Sequence, residues 1–331
     1  MVYLEVACII ISFLTVYFTT PWFIHYLKSI GLIVKDQNKK KKPLVPISGG
    51  IIVLIGFLVS IFLYIFFRLF VFKAGFNLIS LSLLFAGIVS MLIITIIGFL
   101  DDLVIKADKS ESRGFKQWQK PLLTLLAAIP LMAISAGDTT MVLPFIGLVD
   151  FGLIYTLIFI PIGVVGAANM VNMLAGFNGL ETGMGIVYTG MLGIYALIYG
   201  TGIAALISLF ICASLIGFYF YNKVPAKILP GDSLTYLLGG TIVVVAILGN
   251  IEKAALIATI PFFVEFFLKL KGKFNKNSYG YEKNGKIFNL YDKKVYSLPH
   301  LFSRTGKFTE RQIVLCFILI EFIFCLLMWV I

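Results

Sequence analysis

The chain has 331 residues, 60% of them hydrophobic and only 13% charged, with a mean hydropathy of +1.01. Soluble domains are about 45–50% apolar and about 25% charged, so a soluble enzyme, a disulfide scaffold and a disordered chain are all excluded. A formal charge of +11 would suit nucleic acid, but in a chain this apolar the first question is which side of a membrane holds the charge.

A membrane span needs about 20 mostly apolar residues. In chain order the candidate spans are 2–24, 47–67, 78–100, 121–136, 151–168, 184–199, 203–221, 234–248, 254–270 and 313–331. Backbone groups in lipid must be satisfied within the chain, so these segments are expected to be helices. The fold class is therefore an all-α integral membrane protein with about ten transmembrane helices. The first span has no preceding basic residues and no small-residue cleavage site, so it is read as retained. Residues 140–150 fit a short external hairpin, and 271–311 is the one sizeable polar segment. That loop is too short for an enzyme domain of its own. The chain reads as one polytopic domain, 1–331, with 271–311 contributing to any site.

Of the 27 Lys and Arg residues, 24 fall in 25–46, 101–120, 222–233 and 269–311, leaving Arg68, Lys73 and Lys253 on the other side. The positive-inside rule makes the first side cytoplasmic, with both termini outside. The expected location is the plasma membrane, with an active site on the cytoplasmic face. The Lys39–Lys42 run serves this topology and contact with anionic membrane lipids. Cys8, Cys212, Cys316 and Cys325 all fall within spans and lack a CxxC pattern, so they read as small buried hydrophobes.

Polar residues converge at the inner helix ends. Asp101 and Asp102 lie in GFLDD, after the third span. Asn169, Asn172, Gly176, Asn178 and Glu181 lie in NMVNMLAGFNGLE, after the fifth. Asp232 lies in PGDS, before the eighth, and His300 and Arg304 precede the tenth. Taken singly, each has a structural explanation: a solvated helix end, an Asn-Gly turn, a loop histidine. Together, carboxylates and amide oxygens without a His/Cys set suit a hard cation such as Mg²⁺, with Mn²⁺ as the alternative. Nearby lysines would neutralise phosphates. The combination points to phosphoryl transfer.

The order GFLDD, NMVNMLAGFNGLETG, NKVPAKILPGDS and a polar loop before the last span resembles the polyprenyl-phosphate N-acetylhexosamine-1-phosphate transferase superfamily. The LAGFNGLE stretch looks most like its eukaryotic and archaeal branch rather than the bacterial branch, which typically has DGLDGL there. The resemblance implies transfer of N-acetylhexosamine-1-phosphate from a UDP-N-acetylhexosamine, such as UDP-GlcNAc, to a polyprenyl or dolichyl phosphate. UMP is released and no nucleic acid takes part. It implies that Asn172 and Asp232 hold Mg²⁺. Asp101 and Asp102 match the family's aspartate pair, acting in acceptor orientation, proton removal or metal-site support. Lys120 would contact phosphate. Gly176 and Asn178 match a uracil-binding turn, beside which Asn169, Glu181 and Leu229 are substrate-side candidates. His300 and Arg304 are candidates for the sugar or phosphate side. A homodimer is compatible with this pattern. The alternative from another class is a transporter or channel built around the intramembrane carboxylate Glu265.

Overall fold

The computed structural model describes residues 2–105, 114–143 and 147–330. Among these, seven helices are long and apolar enough to cross a membrane, as befits an integral membrane protein. They are built on α1 (Val2–Ser29), α2 (Gly49–Phe66), α3 (Leu78–Val104), α6 (Ile160–Leu174), α7 (Leu180–Tyr199), α8 (Gly202–Asn222) and α9 (Gly231–Gly249). Single π-helical turns prolong α2 through Val71 and begin the α6 span at Tyr155.

The other three apolar segments are helical but interrupted or too charged. Residues 119–133 form α4 (Gln119–Thr124), a 3₁₀ turn and α5 (Ile129–Ala133). Residues 252–271 form α10 (Glu252–Ala258) and α11 (Ile260–Lys271). Pro130 and Pro261 stand in the first turns of α5 and α11. A proline fits there because its missing N–H would be unpaired in any case, but it cannot continue the preceding helix. The last helix, α13 (Glu310–Leu327), carries Glu310, Arg311 and Glu321; α12 (His300–Ser303) is a single turn in the polar loop.

Helix α9 is the axis of the bundle, with every residue from Ser233 to Gly249 buried. It packs on α3, α6, α8 and α2. Small residues make the approach close. A Cβ at Gly98 on α3 would strike the Asp232 and Ser233 backbone, and one at Gly50 on α2 would strike Ser233 and Leu234. Two neighbouring helices thus touch the first turn of α9 backbone to backbone, the small-residue packing that brings membrane helices together.

Among the described residues three antiparallel ribbons supplement the helices: β1 (Ile33–Lys35) with β2 (Leu44–Pro46), β3 (Thr140–Leu143) with β4 (Gly147–Asp150), and β5 (Tyr281–Lys283) with β6 (Lys286–Phe288). The second is the hairpin expected at 140–150; its turn, 144–146, lies outside the described residues. The β1–β2 ribbon stitches residues 46–50 to the segment before α9: Leu229 N donates to Pro46 O (2.8 Å) and Gly49 N to Leu229 O (3.1 Å). The four cysteines are free thiols, with Cys8 and Cys325 buried.

Candidate active site

Four helix ends meet at the polar end of the bundle. The last turn of α3 supplies Asp101 and Asp102, the first turn of α4 supplies Lys120, the last turn of α6 supplies Asn172, and the first turn of α9 supplies Asp232. The third span runs to Val104, four residues past its expected end, and so holds both aspartates within the helix.

Lys120 is the hub. Its Nζ lies 2.7 Å from Asp101 Oδ2 and 2.5 Å from Asp232 Oδ2, so one ammonium bridges two carboxylates from different helices. Asn172 Nδ2 donates to the same Asp232 oxygen at 3.1 Å. Asp101 also accepts from Phe115 N and, at 3.5 Å, from the Tyr236 hydroxyl. Lys120 and Asp232 retain 20% and 19% side-chain exposure, whereas Asp101 is fully buried behind them. The charged spacer at 106–113 lies outside the described residues.

These groups stand at the head of a cavity of about 1070 Å³. Lys120, Gln117, Asn172 and Asp232 line its polar end, with Asn169 beside them, held by bonds to Thr124 Oγ1 (3.1 Å) and Val165 O (2.8 Å). The cavity then runs between α6, α9, α10 and α11 past Phe159, Phe263 and Phe267 to Tyr155 and Glu252, which are hydrogen-bonded to each other at 2.5 Å. A polar head with a long apolar trough suits a ligand that is both phosphorylated and aliphatic.

Among the described residues no three of the His, Cys, Asp and Glu side chains form a metal cluster. Mg²⁺, however, is usually held by one or two carboxylates together with substrate phosphates and water. Asp232, Asp101 and the Asn172 carboxamide make an oxygen donor set of that kind, with the Lys120 ammonium already holding a positive charge between the two carboxylates.

The remaining predicted residues form two other groups. The Gly176–Asn178 turn is covered by the β1–β2 loop. Asn178 Nδ2 donates to Asp36 (2.8 Å) and its N–H to Glu310 (3.0 Å), while Asn38 donates to Gly176 O (2.5 Å). Glu181 closes the turn by accepting from Gly176 N at 2.7 Å, and Gly176 takes φ +145°, a conformation for which glycine is suited. Leu229 is half-buried, its backbone fixed to residues 46–49.

The second group lies in the 271–311 loop. His300 is completely buried. Its Nδ1 accepts from Tyr296 N (3.2 Å) and its Nε2 faces Asn277 O (3.1 Å), so the bonds assign the proton to Nε2. Burial, reinforced by the Lys269 charge, pushes its pKa down to about 4. Arg304 is exposed and outside the cavity wall. Glu265 accepts from Ser297 Oγ and Leu298 N, both at 2.6 Å, which ties α11 to the loop. This loop contributes Phe274 and Lys276–Tyr279 to the cavity wall; the sequence pointed to the loop but not to these residues. Its Asn and Lys in a turn carry no pattern that separates them from solvated loop. Ser48, which donates to Asp102, was also missed, lying 54 residues away in sequence.

The glycosyl transferase family 4 profile matches residues 84–250, from α3 through α9. Two archaeal proteins named putative UDP-N-acetylglucosamine–dolichyl-phosphate N-acetylglucosaminephosphotransferase are each 34% identical. The one from Saccharolobus solfataricus aligns over 96% of this chain and 94% of its own length, and the one from Sulfolobus acidocaldarius over 96% and 93%. A phospho-N-acetylmuramoyl-pentapeptide-transferase from Lactobacillus acidophilus is 31% identical over 76% of this chain and 77% of its own. The profile spans all four helix ends that meet at Lys120, and the archaeal relatives align over almost the whole chain: it belongs to glycosyl transferase family 4.

Proposed function

We propose that this enzyme transfers N-acetylglucosamine-1-phosphate, or a closely related N-acetylhexosamine-1-phosphate, from its UDP derivative to a dolichyl-type polyprenyl phosphate, releasing UMP. The observation that carries this is Lys120 bridging Asp101 and Asp232 at the head of the apolar trough. An isoprenoid chain would lie along α6 and α9, its phosphate beside Lys120. One phosphate oxygen attacks the phosphorus that bears the sugar, the bond from that phosphorus to the bridging oxygen breaks, and UMP leaves with that oxygen. The anomeric bond stays intact, so no paired glycosidase carboxylates are needed. A phosphate monoester has a second pKa near 6 and is mostly dianionic at pH 7, so no general base is obligatory.

Asp232 and Asn172 would hold Mg²⁺, which when bound offsets the charge of the pyrophosphate. Lys120 orients the acceptor phosphate as a point charge, and Asp101 holds Lys120. The Gly176–Asn178 turn would take the uracil once the β1–β2 loop moves aside. The ten helical segments correspond to ten crossings, with both termini outside and the site on the cytoplasmic side, supported by the 24-to-3 division of Lys and Arg.

The test is exchange of labelled UMP into UDP-GlcNAc by detergent-solubilised protein with lipid phosphate and Mg²⁺. Exchange is expected in the wild type and should be abolished in Asp232→Ala and Asn172→Ala protein that remains folded. Near-normal turnover in either variant would sink the metal-site assignment.

A further inference from the structure

Asp101 and Asp102 are neighbours with opposite surroundings. Successive residues of a helix point about 100° apart, so the pair cannot face the same group. Asp101 turns toward Lys120. Asp102 turns into the protein: Oδ1 accepts from Asp232 N at 2.7 Å, and Oδ2 accepts from Ser233 N at 3.2 Å and from Ser48 Oγ at 2.9 Å. It is fully buried and takes no part in the cavity wall. Its donors come from the entry to α2 and the first turn of α9, so this one carboxylate joins three helices.

Two further features mark the junction as built. Ser48 holds left-handed backbone angles (φ 86°, ψ 40°) although it is not glycine. Such a conformation is strained for a residue with a side chain and persists only where the surroundings enforce it. Gly231, with φ +72°, leaves no room for a Cβ, which would strike the Asp102 carboxylate. An ionised carboxylate is acceptor-only, so it can receive three donors at once; an amide of the same shape would set its own N–H groups against them.

We propose that Asp102 is a positioning residue and takes no direct part in the chemistry. By capping the first amides of α9 and fixing Ser48, it sets the backbone of Asp232 so that the Asp232 carboxylate faces Lys120 and Asn172, where it would help hold the metal. Asp101 is then the member of the pair that meets the reacting groups, through Lys120. This rests on the metal-site assignment above.

The test reads metal binding directly. Mn²⁺ replaces Mg²⁺, and bound ion is counted by electron paramagnetic resonance on the full-length, detergent-solubilised protein with UDP present. Asp232→Ala should lose the bound Mn²⁺. Asp102→Asn should weaken Mn²⁺ binding by roughly 10–100-fold, the usual cost of losing a partner that orients a ligand. Ser48→Ala, which leaves every charged group in place, should weaken it by roughly two- to tenfold, one hydrogen bond's worth. The double variant should bind no more weakly than Asp102→Asn alone, because both changes break one junction. Wild-type Mn²⁺ affinity in Asp102→Asn with turnover lost would overturn the proposal, since Asp102 would then act on the reacting atoms. If that variant does not fold, unchanged affinity in Ser48→Ala overturns it equally. Mn²⁺ retained by Asp232→Ala would overturn the metal-site assignment and, with it, this inference.

Discussion

The ionisable side chains around Lys120 and those around Glu265, both at the polar end of the bundle, differ in what satisfies them. Around Lys120, the charges are balanced mainly by other side chains: two carboxylates and a carboxamide from three helices converge, and Lys120 and Asp232 keep about a fifth of their surface exposed. Around Glu265, which pairs with Lys269 at 3.6 Å, the other partners are backbone and hydroxyl groups of the polar loop. Glu265 takes Ser297 and Leu298, Lys269 takes Lys276 O and Ser278 Oγ, and His300 takes Tyr296 and Asn277. The first cluster can exchange partners when a phosphate or a cation arrives. The second has already spent its donors and acceptors on holding a loop. The same residue types thus make a site in one place and a scaffold in the other.

The largest effect should come from breaking the open cluster at its hub. Lys120→Met leaves Asp101 and Asp232 facing each other without a cation and removes the charge beside the acceptor phosphate. Turnover should fall by about 10²–10³, as when a preorganised electrostatic group is lost. The variant should also unfold at lower temperature in chelator and recover part of that loss in Mg²⁺, because an ion that binds only the folded state stabilises it. UMP release and thermal midpoints with and without Mg²⁺ check this. Turnover above a tenth of wild type would mean that Lys120 is scaffold after all.

How much of this contrast could be read in the sequence follows from what each cluster is made of. The ten apolar segments all reappear as helical segments, and for the seven long and apolar enough to cross a membrane, lipid leaves the backbone no other option. The breaks before Pro130 and Pro261 follow from proline chemistry. Asp101, Asn172 and Asp232 were legible because each sits at a helix end and alternation of spans brings those ends together; Lys120, an ordinary interfacial lysine by position, was marked only by the family resemblance. The β5–β6 hairpin was legible in principle from Asn284-Gly285, whose positive φ values (53° and 74°) are those of a tight hairpin turn. The division of labour between Asp101 and Asp102 was not legible, since it depends on Ser48 and on which way the last turn of α3 faces. Nor was the role of Glu265, an intramembrane carboxylate by sequence whose partners sit 32 and 33 residues further on.

A smaller effect is expected from the closed cluster. Glu265→Gln keeps one acceptor but gives up the charge, leaving a donor among Ser297, Leu298 and Lys269 poorly served. The cost should be about 1–3 kcal/mol of stability, that of a buried polar group left unsatisfied. Proteases should cut within 271–311 more readily. The Michaelis constant for the UDP-sugar should rise, because wall residues 276–279 hang from this cluster, while maximal turnover falls less than tenfold. A variant of unchanged stability that lost ion flux in liposomes would instead restore Glu265 to a transport role.

The smallest effect is a matter of pH. His300 titrates near its ordinary 6.5 in the unfolded chain and at about 4 in the folded one, where burial and the nearby Lys269 charge oppose its ionisation. Between those values the unfolded chain binds the extra proton, so stability falls as pH drops below about 6.5 and the loss levels off near pH 4. From pH 7 to pH 6 the protonated share of the unfolded histidines rises from about a quarter to about three quarters, and the expected loss is about 0.7 kcal/mol. In His300→Gln, whose amide can still donate to Asn277 O but does not titrate, this share of the pH dependence should vanish. Thermal midpoints of the two proteins across pH 5–8 should therefore converge on the acidic side. Parallel curves would mean that the imidazole is not held neutral by the loop and has a second partner, as a residue of the open cluster would.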